Sequence, residues 1–66
     1  MIEQYKVFWQ HKDKALQGEG QNPTTFEVAK AWVNYSNKEH PEIDHWVSVA
    51  SFDFDHAQKM RLYPRS

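Results

Sequence analysis

The chain reads as a small α+β domain: a sheet of two to three strands, antiparallel or mixed, in the order β-β-α-β, with one helix packed across one face. Three observations predict it. An aromatic segment near the start alternates with period two, a stretch from Pro23 to Pro41 carries a helix start, a two-faced body and a stop in that order, and a second alternating segment follows.

From Ile2 to Lys12, Tyr5, Val7 and Trp9 share one side while Gln4, Lys6, Phe8 and Gln10 share the other, the spacing of a half-buried strand. Between Asp13 and Asn22 the alternation is lost. This segment is expected to be a loop, or a hairpin turn with a short edge strand around Ala15 to Glu19, with Gly18 and Gly20 suited to a bend.

Thr24 followed by Glu27 has the spacing of a capping box, so the helix is expected to begin there. At about 100° per residue, Phe26, Val28, Ala29, Trp32, Val33, Tyr35 and Ser36 fall within roughly half the circumference. Glu27, Lys30, Asn34, Asn37 and Lys38 fill the rest. The first set is the expected buried face, with Trp32 and Val33 at its centre. Pro41 disfavours helical geometry at His40 and predicts an end between Asn37 and Glu39, where Lys38 and His40 suit the negative helix terminus.

Beyond it, Val47 and Val49 lie on one side of an extended segment and Trp46, Ala50, Phe52 and Phe54 on the other, with Ser48 interrupting the second row. A strand through Trp46 to Ala50 is expected. Residues 1–54 then make one domain, and 55–66 an extension, either a short helical turn capped by Asp55 and stopped by Pro64 or a partly ordered tail. If the second strand forms, the spatial order is 2-1-3, and the face opposite the helix is left to polar side chains, the C-terminal segment or a partner.

Sixty-six residues hold one small core, so each of the three Trp, three Tyr and four Phe matters, each removing roughly 150 to 250 Å² from water when buried. Cysteine is absent, which excludes disulfides and thiolate zinc sites, the usual supports of small domains. The opening MIEQYK lacks a secretory apolar run and no window approaches the roughly 20 apolar residues of a membrane span, so a cytoplasmic protein is expected. A net charge of -1 is far from the basic balance of a protein that wraps a phosphate backbone.

Four histidines, His11, His40, His45 and His56, lack ligand spacing, and Asp53 and Asp55 in the DFDH run read as a strand end or helix cap. No metal or other cofactor is expected. Ser36, Ser48 and Ser51 show no nucleophile elbow, and Gly18-Glu19-Gly20 lacks the remainder of a phosphate loop; the chain is not expected to be an enzyme. The aromatic surplus points instead to protein recognition, because Trp, Tyr and Phe concentrate interface energy. The candidate contact residues are Phe8, Trp46, Phe52, Phe54 and Tyr63, joined by Lys59 and Arg61. The partner is another protein or a second copy, the latter pairing through an edge strand into a homodimer. The alternative is single-stranded nucleic acid, with bases stacked on exposed aromatics and phosphates met by Lys59, Arg61 and Arg65.

The stretch AKAWVNYSNKEHPEIDHWV, through Ala29, Ala31, Trp32, Val33, Asn37, Lys38, Pro41, His45 and Trp46, resembles a pattern in short single-domain proteins of phages, large viruses and bacteria. They too begin with an aromatic strand similar to YKVFWQHK. The resemblance runs from Gln4 to Val49, leaving the last seventeen residues as an addition. It implies the strand-helix-strand core and, since those proteins carry no assigned activity, no chemistry. Such company would suit a stoichiometric modulator that occludes a site on a larger host protein.

Overall fold

The computed structural model describes residues 4–64. Within them, β1 (Tyr5–His11), β2 (Gln17–Glu19) and β3 (Ile43–Val49) form an antiparallel sheet in the order β2-β1-β3. Helix α1 (Phe26–Glu39) joins β2 to β3, and α2 (Phe54–Lys59) follows. This is an α+β fold with the 2-1-3 order.

Alternation along β1 and β3 divides the core into two layers. On one side Val7 faces Val47 across the sheet, and Ala29 and Val33 of α1 close over them, with Tyr5, Phe26 and Tyr63 at the margins. On the other side Phe8 faces Trp46, their rings stacked with centroids 6.2 Å apart, and Ala57 of α2 seals them with Phe52 and Phe54. The face left open in the sequence reading is covered by the C-terminal segment. The helical alternative for residues beyond 54 is the one formed, and this helix packs as part of the core.

Ser48, which breaks the apolar row of β3, is fully buried, and its hydroxyl donates to the Met60 carbonyl at 2.7 Å. Trp46 Nε1 donates to the Ala57 carbonyl at 3.0 Å. Carbonyls in the last turn of a helix lack intrahelical partners, and these two β3 side chains supply them for α2.

Three sequence expectations shift. The cap of α1 is Thr25, whose hydroxyl accepts from the Val28 amide, while Thr24 pairs with Tyr5 in a β-bridge and so cannot turn its backbone into the helix. The cap of α2 is Asp53, accepting from the His56 amide at 2.8 Å, and Asp55 lies in the first turn where its charge suits the positive terminus. Strand β3 begins at Ile43 and stops at Val49, because residues past it turn back to launch α2.

The largest correction concerns α1. Trp32 is 57% exposed, Tyr35 59% and Val28 45%, whereas Ala29 and Val33 are fully buried. With about 100° per residue, the apolar residues make two stripes rather than one half-cylinder. The stripe through Phe26, Ala29, Val33 and Asn37 meets the sheet; the stripe through Val28, Trp32 and Tyr35 lies about a third of a turn away and faces solvent. Lys30, expected on the wet face, is half-buried, with its ammonium 5.4 Å from the Tyr63 ring centroid and 5.9 Å from that of Phe26.

Candidate functional site

The contact residues expected from sequence are mostly inside. Phe8 and Trp46 are fully buried, Phe52 and Phe54 pack against them, and Tyr63 packs beside α1 with its hydroxyl donating to Asn34 Oδ1 at 2.7 Å. Arg61 donates to Asp44 Oδ2 at 2.7 Å and lies 3.9 Å from the Trp46 ring centroid. Lys59 alone of the set is well exposed, at the end of α2. Phe8, Trp46, Phe52 and Phe54 serve α2 docking, Tyr63 packs on the α1 side, and the set does not converge on a common surface.

A different surface is built on α1. Val28, Ala31, Trp32 and Tyr35 form an outward apolar strip bordered by Glu27, with the Trp32 and Tyr35 rings edge to face at 6.2 Å. On the side of the strip nearer the sheet lies a groove of about 510 Å³ between α1 and the β1–β2 edge. Trp9 and His45, paired across β1 and β3, line it from the sheet; Val28, Trp32 and Ser36 line it from the helix; Gly20, Pro23 and Thr24 close one end.

The sheet side of this groove is held in place from beneath. Trp9 pairs with Gly18, and a Cβ at that position would stand 2.6 Å from Trp9 Cζ2, so glycine there lets the indole lie against the β2 backbone. His45 is only 8% exposed. Asn37 grips it three times: the His45 amide donates to Asn37 Oδ1 at 2.9 Å, Asn37 Nδ2 donates to the His45 carbonyl at 3.2 Å, and His45 Nδ1 lies 2.9 Å from the same Oδ1. The two backbone bonds fix which end of the amide is oxygen, so Nδ1 faces an acceptor and carries the proton in the neutral ring. Burial holds the His45 pKa below its ordinary value and nearby His40 acts in the same direction, while the Ile43 carbonyl and the Asp44 and Glu42 carboxylates offset part of it.

The other histidines are apart from this one in role. His11 Nδ1 accepts from the Asp13 and Lys14 amides at 3.1 Å, His40 stands 3.7 Å from Glu42, and the His56 ring packs on Phe52. Among the described residues no group of three or more His, Cys, Asp or Glu side chains could hold a metal ion.

A family model described as the CG7065 middle helical domain matches residues 2–62. The chain belongs to that family. No curated protein and no solved structure matches it. The match of the CG7065 middle helical domain reaches through α2, so the residues from 50 to 62, beyond the viral and bacterial resemblance, lie within the family's extent.

Trp9, Trp32, Tyr35, Asn37 and His45 were not among the sequence candidates. Asn37, expected on the wet face, is half-buried instead; its place four residues after Val33 and eight after Ala29 is the signal, since an amide on that stripe needs polar partners.

Proposed function

We propose that this protein is a non-catalytic binding module that engages a larger protein stoichiometrically in the cytoplasm, through the outer strip of α1 and the adjoining groove. The observation that supports it most is the pair Trp32 and Tyr35, each more than half exposed and adjacent on a helix whose other apolar stripe is anchored in the core. Trp and Tyr are the residues in which interfaces concentrate their energy, and a rigid helical mount lowers the ordering cost of binding. Ala31 beside them keeps that edge of the strip shallow enough for close approach. The phage-like pattern noted above fits the same reading, a small protein covering a site on a host protein.

The single-stranded nucleic-acid alternative is weaker on this geometry. The exposed aromatics lie on the α1 side of the sheet, whereas Lys59 and Arg61 belong to the α2 side and Arg61 is committed to Asp44. Base stacking and phosphate contact would have to occur on opposite faces.

Affinity capture from host extract with the immobilised protein tests the proposal. A single protein retained near one-to-one, and lost with a Trp32→Ser/Tyr35→Ser variant of unchanged circular dichroism, is the expected result. Equal retention by the variant, or recovery only of nuclease-sensitive nucleic acid, would overturn it.

A further inference from the structure

The His45 ring has an edge that the fold does not use. Its hydrogen bonds to Asn37 fall on the backbone and on Nδ1, and none falls on Nε2. Among the described residues no buried side-chain nitrogen or oxygen lacks a partner, so Nε2 is not sealed in the core. It reaches solvent from a residue more than nine-tenths buried, and the space His45 borders is the groove shared with Trp9 and Trp32. With the proton on Nδ1, Nε2 presents a lone pair. The groove therefore combines two indoles with a ring acceptor whose orientation is locked by Asn37, beside the polar side chains of Asn22, Thr24 and Ser36.

We propose that this groove is the specificity pocket of the protein-binding surface, taking one Tyr or Trp side chain of a partner, whose O–H or indole N–H donates to His45 Nε2 while its ring packs against Trp9 and Trp32. The inference rests on the reading of the α1 face as a protein-binding surface and names what that surface selects. Among the described residues no charged side chain lines the groove, which favours an uncharged occupant over a nucleotide or an acidic or basic side chain. Phe would fill the same space, yet it would displace water from Nε2 and leave the acceptor unpaired, so the groove discriminates by the donor. Ser36, also in the lining, offers a hydroxyl at the helix side of the same space.

The test uses the full chain and blocked tripeptides, acetyl-Gly-Xaa-Gly-amide with Xaa Tyr, Trp or Phe, followed by nitrogen and indole chemical shifts. Tyr and Trp peptides are expected to give saturable shifts at Trp9, Trp32 and His45 Nε2, and Phe to bind about tenfold more weakly, the ratio a single unmet hydrogen bond in a shielded site produces. In a His45→Leu variant the Tyr and Phe peptides should bind alike. In a Tyr35→Ser variant, which alters the outer strip and not the groove lining, the Tyr-over-Phe preference should persist.

Equal binding of Phe and Tyr peptides to the unaltered protein, or no saturation at millimolar peptide, would overturn the pocket while leaving the wider protein-binding reading to its own capture experiment. Tighter binding of adenosine or cytidine than of the Tyr peptide would overturn it in favour of a nucleobase. Should His45→Leu fail to fold, the peptide series on the unaltered chain still decides.

Discussion

The indole N–H of Trp46 donates to the carbonyl of Ala57 at 3.0 Å, joining the central row of β3 to the last turn of α2 within a fully buried layer. Trp46→Phe keeps most of the ring and removes the donor, leaving a buried carbonyl unpaired. A loss of about 2 kcal/mol is expected in urea denaturation. Trp46→Ala also opens a cavity, and its cost of about 3 to 5 kcal/mol is a large share of what a chain of this length has.

The two caps make a paired prediction. Thr25→Ala removes the hydroxyl that accepts from the Val28 amide and should cost about 1 kcal/mol, a fall of roughly 4 to 8 °C in Tm. Thr24→Ala keeps the backbone bridge to Tyr5 and should cost much less. Thermal melts of the two variants distinguish the residue that caps from its neighbour.

Lowering the pH should weaken the fold through His45. Its folded-state pKa lies below the value of about 6.5 that it has in the unfolded chain, so the unfolded state binds the extra proton first. The stabilising contribution is full above about pH 6.5 and declines as the pH falls through that value, flattening only below the folded-state pKa. Denaturation midpoints at pH 7.5 and 5.5 should differ in that sense, and a His45→Gln variant should show a shallower slope. His40, Glu42 and Asp44 act on the same ring, so mutating His40 to a neutral residue should also lessen the effect.

Asn37→Ala strips partners from both backbone groups of His45 at once and should cost about 1 to 3 kcal/mol. Asn37→Asp keeps the oxygen for the His45 amide but puts a carboxylate oxygen against its carbonyl, and so should recover only part of the loss. Equilibrium unfolding of the three proteins measures the ordering.

Gly18→Ala should disturb the groove more than the fold. The new methyl meets Trp9 Cζ2 at 2.6 Å, and the half-buried indole relieves that by swinging away from β2. A changed Trp9 indole shift, with a Tm lowered by only a few degrees, is expected; an unmoved indole would mean that β2 yields instead.

Much of the architecture was legible from local pattern. Tyr5, Val7 and Trp9 alternate against Phe8, and Pro41 stops α1 just past Glu39, because strand period and proline geometry are properties of neighbours in sequence. The surfaces were not legible for the converse reason. Whether Trp32 or Lys30 faces the sheet depends on the rotation of α1, which is fixed by Val33 and Ala29 meeting Val47 and by Asn37 meeting His45, contacts from the far side of a loop. Phe8 and Trp46 are core residues only because α2 packs on them, a contact that local pattern does not carry. Once Asp53 starts that helix, Ala57 arrives over them and encloses both rings in the core.

The Val47 amide donates to the Tyr63 carbonyl at 2.7 Å and the Val47 carbonyl accepts from the Leu62 amide at 2.8 Å, so the chain's own tail occupies the middle of the outer margin of β3. A second molecule that tried to lengthen the sheet there would first have to peel that tail away. Lengthening of the sheet across that margin should therefore be blocked, and clipping the chain after Met60 should open it to pairing.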